Sequence, residues 1–175
     1  MSSNLALAIS VGVLGAVATY LFLGPLGGAL AIWAAFIAWG CYFHCGGKEQ
    51  GLTTTILNNA AGAIIAGIAL MLAGATIGES LPTAVWPAIC VGLGVAAMVL
   101  LANVPLFSAI PAQVYGFASV AAYALMKGGN LMAPNMENPV VVVILSMIIG
   151  AVFGYVSEKV AGVLAGTGHP RHVKA

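Results

Sequence analysis

Adjacent carboxamides, Asn58 and Asn59, interrupt an apolar run that extends from Leu52 to Ala75. A carboxamide carries both hydrogen-bond donors and an acceptor. Inside a lipid-embedded helix it has two uses. It lines a path for a polar solute, or it ties one helix to another, at about 0.6–2 kcal/mol per bond. Successive helical residues point about 100° apart, so at most one of the pair faces a path squarely. Ser146 occupies the corresponding place in the last apolar run, and Gln113 stands in the one before it, beside Pro111 and close to Ser108. Within a helix, Pro111 would lack an amide hydrogen and leave the Phe107 carbonyl without its donor. A kink of that kind, with an amide side chain nearby, either coordinates a polar solute or is satisfied by Ser108 or water. Asn58, Asn59, Ser146, Gln113, Pro111 and Ser108 are thus the candidate solute pathway.

Cys41, His44 and Cys45 share one helix face through their i, i+3, i+4 spacing. Two thiols and an imidazole suit Zn or Cu. A structural Zn site takes four ligands, and the other histidines, His169 and His172, are remote in sequence. Buried thiols beside an interfacial histidine are the alternative, and the sequence predicts no bound metal or cofactor. Gly150-x-x-x-Gly154 and Gly62-x-x-x-Ala66 are small-residue faces for close helix packing. Trp33, Trp39 and Trp86 read as core or interface anchors.

The chemistry that is missing narrows the function. The chain has no Asp, and Glu49, Glu79, Glu137 and Glu158 fall in loops or at helix ends. Proton-coupled carriers rely on ionisable groups inside the membrane. Their absence favours passive movement of a neutral solute. No nucleophile–base pair, phosphate loop or HExxH motif is present, so the sequence predicts no enzyme. With a net charge of +1, nothing points to nucleic acid.

Composition dictates the elements that must position these residues. The 175 residues are 62% hydrophobic and 5% charged, with a mean hydropathy of +1.10. A soluble domain carries about 25% charged residues, so the expected solvent is the lipid bilayer. Six apolar runs predict transmembrane helices at about 5–23, 28–45, 52–75, 85–103, 105–126 and 139–157. The first lacks a positively charged leader segment and is read as a retained helix rather than a signal peptide. Arg171, Lys174, Lys159 and Lys48 fall on one side of such a bundle and Lys127 on the other, which places both termini in the cytoplasm.

The halves resemble each other. Shifted by 80 positions, residues 8–26 match 88–106 at 8 of 19 places, ending in Pro25-Leu26 and Pro105-Leu106. Ala31-Ile32 then parallels Ala109-Ile110, and Ile56-Leu57 followed by Gly62 parallels Ile144-Leu145 followed by Gly150. The chain divides into repeats over 1–78 and 79–164, with a polar cytoplasmic tail at 165–175. Three spans per repeat force the second copy to enter from the opposite face. This all-α, inverted-topology arrangement is common in transporters and channels.

Trp33-Ala34-Ala35-Phe36-Ile37, Tyr42-Phe43 before Gly46-Gly47, Asn59 with Gly62, Ile110-Pro111-Ala112, and Gly150 to Gly154-Tyr155 resemble the small bacterial inner-membrane proteins grouped as domain-of-unknown-function family 1097. The resemblance implies a polytopic inner-membrane protein and carries no activity with it. The expected function is a channel or facilitator for a small neutral polar solute, formed as a homo-oligomer. A non-catalytic membrane subunit or scaffold, packing with a partner or with itself, is the competing expectation.

Overall fold

The computed structural model describes residues 1–75 and 81–166, which form an all-helical bundle. The helices are α1 (Ser3–Leu23), α2 (Ile32–His44), α3 (Lys48–Ala73), α4 (Val85–Leu101), α5 (Ile110–Lys127) and α6 (Pro139–Leu164), with a 3-10 turn at Pro105–Phe107. The expected repeat boundary, Glu79 and the basic tail with His169, Arg171, His172 and Lys174 lie outside the described residues.

Local chemistry sets most of the helix ends. The Ser2 side chain accepts from Leu5 N–H and opens α1, which stops at Gly24 just before Pro25. Asn138 accepts from Val140 N–H and opens α6, with Pro139 in the first turn, where its missing donor costs nothing. At the start of α3 the capping group comes from a distant helix: the Glu158 carboxylate accepts from Lys48 N–H at 2.8 Å and from the Tyr42 hydroxyl.

The helices run alternately between two ends of the bundle. Ser3 and Ala165 border the same cleft, so α1 begins where α6 finishes. Lys159 of α6 meets Glu49 of α3 at 2.9 Å at that end, whereas Trp86 Nε1 of α4 donates to Leu72 O of α3 at 2.8 Å at the other. Lys127 closes α5 at this second end. The packing partners are unchanged when α1, α2, α3 are exchanged for α4, α5, α6. The closest pairs are α3 with α5 and α2 with α6, followed by α3 with α4 and α1 with α6. Each half therefore packs mainly on the other rather than on itself.

Glycine makes the two closest crossings possible. A Cβ on Gly62 would sit 1.8 Å from Gln113 O, and one on Gly150 would sit 1.9 Å from Ala35 O. Gly154 lies under Tyr42 of the same chain, so this face packs within the protomer.

Side chains are sorted in the reverse of a water-soluble bundle. Thr55, Asn58 and Asn59 of α3 are buried, while Ile64, Ile68 and Leu72 of the same helix are exposed. The outer helix α1 exposes Leu5, Ile9, Val13 and Val17. So much aliphatic surface suits a lipid environment. Three helices, α1, α3 and α6, are long and apolar enough to cross a membrane.

Several expected boundaries change. The second helix begins at Ile32 rather than near residue 28, and the fifth at Ile110 rather than at Pro105. Their lengths are 13 and 18 residues, about 20 and 27 Å at 1.5 Å per residue. Each is preceded by a non-helical or 3-10 approach, so each starts below its end of the bundle. The mid-helix kink expected at Pro111 is therefore absent: Pro111 lies in the first turn of α5, where proline fits. The third helix starts at Lys48, inside the expected turn, and α6 continues past Ser157 to Leu164.

Candidate functional site

The inner ends of α2 and α5 are held by side chains from α6 and α3. Ser146 Oγ accepts from Ala31 N–H at 2.9 Å and donates to Val142 O at 2.7 Å. At the equivalent position in the other half, Asn58 Nδ2 donates to Leu106 O at 3.2 Å and to Thr54 O at 2.9 Å. Asn58 and Ser146 do similar work, since each bonds the backbone of the segment that leads into α5 or α2. They do not share a site. Asn58 stands ten residues into α3, about 15 Å along it, deeper than its distance from residue 52 suggests.

Gln113 joins Asn58. Its Nε2 donates to Asn58 Oδ1 at 3.4 Å and to Phe107 O at 2.5 Å. The Phe107 carbonyl thus finds a donor in the neighbouring amide, not in Ser108. Asn59 points elsewhere on α3, and its Oδ1 accepts from the Cys41 thiol at 3.6 Å.

Hydrogen bonding across this interior is incomplete. Asn58 and Gln113 are fully buried and Asn59 is 2% exposed. Yet Thr55 Oγ1, Asn59 Nδ2, Gln113 Oε1 and Ser119 Oγ have no hydrogen-bonding partner. Nearly all buried polar groups in folded proteins are paired. Leaving one unpaired costs about 1–3 kcal/mol. All four residues lie on α3 and α5, the helices that the Asn58–Gln113 bond joins.

Two clefts open beside them, of about 440 and 510 Å3, both bordered by Gln50, Thr54 and Ser108. His44, Cys45 and Pro111 border the first. Ser108 and Pro111, expected on a solute pathway, are exposed and border the first cleft, and Asn58 lies one helical turn along α3 from Thr54. His44 Nδ1 bonds the Tyr115 hydroxyl at 2.9 Å, so its ring turns to α5. Toward the other end the interior becomes apolar, with Ala63, Ala66, Val120, Val142, Val143 and Met147 packed in one core. Ser146 is buried within this second region, away from the clefts.

Thr55 and Ser119 were not among the residues singled out from sequence. Thr55 lies one turn before Asn59, which was available as a signal. Ser119 corresponds to Cys41 when α5 is laid on α2 by the repeat. Among the described residues no three His, Cys, Asp or Glu side chains are grouped to hold a metal ion.

Residues 8–162 match the family described as protein of unknown function (DUF1097). No curated protein and no solved structure matches the chain.

Proposed function

The chain belongs to the DUF1097 family, and from that premise we propose that it is a membrane facilitator for a small neutral polar solute. The observation that carries this reading is the set of unpartnered groups on Thr55, Asn59, Gln113 and Ser119, buried on α3 and α5, whose first turns border the open clefts. Both donors and acceptors are left over. A small molecule with both kinds of group, such as urea or a short polyol, would pair with them and recover part of what it loses on leaving water. A bare ion would not, because no charged side chain stands among these groups. Facilitation is read as stopped-flow volume change of proteoliposomes exposed to urea, glycerol and similar solutes.

The proposed setting is the bacterial inner membrane, with six crossings arranged as an inverted pair of three-helix repeats and both termini in the cytoplasm. The exchangeable packing of the halves supports the pair. The late starts of α2 and α5, each after a turn or 3-10 approach and at opposite ends of the bundle, support it further. Lys48 and Lys159 at the end where α1 begins and α6 finishes favour that end as cytoplasmic. Reporters fused at Gly47 and at Asn130 should fall on opposite sides of the membrane. Finding both on one side would remove the inverted pair.

We also propose a homo-oligomer. The bundle leaves little protein between its polar interior and lipid, and the native mass in nanodiscs should exceed that of one chain. A monomer mass would count against it.

The scaffold reading draws on Asn58 and Ser146, whose side chains are already engaged in bonds to the backbone of the short helices. Those residues serve the fold. The unpartnered groups are what separate the two readings.

A further inference from the structure

Cys41 and Cys45 place their sulfurs 3.9 Å apart. Cys41 is 2% exposed, whereas Cys45, the residue that caps α2, borders the cleft with Gln50 and Thr54. The pair thus has one sulfur in the wall of an open cleft and one directly behind it. No disulfide joins them. Thr55 Oγ1 interacts with both thiols but makes no hydrogen bond of acceptable geometry. The Asn59 carboxamide touches Cys41 through its oxygen, and its nitrogen is unpartnered. Two thiols, a buried hydroxyl and a buried amide donor therefore converge where α2 meets α3.

We infer that Cys41 and Cys45 form a two-sulfur site for a soft monovalent metal ion of the Cu(I) type. First-row metal–thiolate bonds of about 2.3 Å reach both sulfurs with only a wide, bent angle at the ion. Thiolates select Cu(I) over the hard cations. A four-ligand Zn site lacks its partners here, because His44 is engaged with Tyr115 and no third Cys, His or acidic group joins the pair among the described residues.

On binding, each thiol gives its proton to water in the cleft and a sulfur–metal bond replaces each S–H bond. The bis-thiolate carries one net negative charge. Rotating the Asn59 amide turns its free N–H groups toward Cys41. The first turn of α5, with Pro111 and Ala112 on the same cleft, adds the positive end of a helix. This site stands independently of the solute reading, since it requires only the thiols and access to the cleft.

The test is anaerobic titration of the purified full-length protein with Cu(I) against bicinchoninate. The wild type should hold one ion per chain. Cys90→Ser should hold it too, since Cys90 is buried on α4. So should the protein carrying His169→Ala with His172→Ala. Cys41→Ser and Cys45→Ser should each lose the ion while eluting as the wild type does. As a check that needs no variant, bound Cu(I) should protect Cys45 of the wild type from a water-soluble maleimide. Surrender of all copper to bicinchoninate by the wild type would overturn the site. Retention of the ion by both serine variants would do so as well.

Discussion

Gly62→Ala and Gly150→Ala are each expected to cost about 3 kcal/mol or more, at or beyond the top of the usual range for overpacking. The added methyl carbon would lie 1.8 Å from Gln113 O in the first case and 1.9 Å from Ala35 O in the second. Both obstacles are backbone atoms, so no side-chain rotation relieves them, and the helices must separate. Separation at Gly62 also pulls Gln113 from Asn58, and separation at Gly150 strains the contact of Ser146 with Ala31. The two variants should therefore fail alike, since each puts a methyl against a backbone carbonyl at a helix crossing. At roughly 2–4 °C per kcal/mol for a chain of this size, each should lower the apparent melting temperature by on the order of 10 °C. Size-exclusion chromatography after graded heating in detergent reads this directly. Gly12→Ala and Gly92→Ala are the controls, since neither glycine has any atom within 4 Å of the new carbon. They should melt with the wild type. Melting of Gly62→Ala with the wild type would mean that α3 and α5 do not cross where the structure has them.

The number and order of the helices were legible because their signals are gross ones. Long apolar runs, Gly24-Pro25, and the polar stretch after Lys127 need no tertiary information. The likeness of the halves is carried segment by segment, since Pro25-Leu26 meets Pro105-Leu106 at a shift of 80 positions but Gly62 meets Gly150 at a shift of 88. Where α2 and α5 begin was not legible. Ala29 and Leu30, like Leu106 and Phe107, are as apolar as the helices they precede. Hydropathy does not tell an apolar turn or 3-10 segment from an α-helix, and Leu106, 54% exposed in a 3-10 turn, is as apolar as any helical residue. The information lies instead in Ser146 and Asn58, more than 40 residues away, whose side chains take up the backbone groups those segments leave free. The start of α3 is hidden from the local sequence for a related reason. Lys48-Glu49-Gln50 reads as a turn, but Glu158 supplies a cap from the far end of the chain.

The site was partly legible. Asn58, Asn59 and Gln113 stand out because a carboxamide in an apolar run is costly and needs an account. Thr55 and Ser119 do not stand out, since a hydroxyl in a helix ordinarily bonds a carbonyl one turn back. Only the structure reveals that these two hydroxyls lack such a bond. In sequence Pro111 reads as a kink only because the apolar run extends back to Pro105. Once α5 begins at Ile110, the same residue is a first-turn proline.

Thr55→Val and Asn59→Met separate the facilitator from the scaffold most sharply. Each installs the residue that the other half of the chain carries at the equivalent place, Val143 and Met147, so the shape is one the fold already accommodates. Each removes an unpartnered buried atom. Stability should hold or rise, because an unmade hydrogen bond costs about 1–3 kcal/mol and that cost is relieved. Asn59→Met gives up only the long Cys41 contact. Asn58→Leu is a poorer choice, since it strips Leu106 O and Gln113 of partners and disturbs the start of α5. If the leftover groups bind solute as it passes, replacing both should reduce flux roughly tenfold, the effect of about 1.4 kcal/mol on a barrier. A scaffold has no reason to respond in that way.

The most direct measurement is the rate of urea entry into sealed proteoliposomes, followed by stopped-flow light scattering with and without an imposed membrane potential. The wild type should admit urea faster than empty liposomes, at the same rate in either condition, and the Thr55→Val, Asn59→Met protein should fall back toward the empty-liposome rate while melting no lower than the wild type. Wild-type entry no faster than through empty liposomes, for urea and for the other small neutral solutes alike, would contradict the facilitator and leave the scaffold.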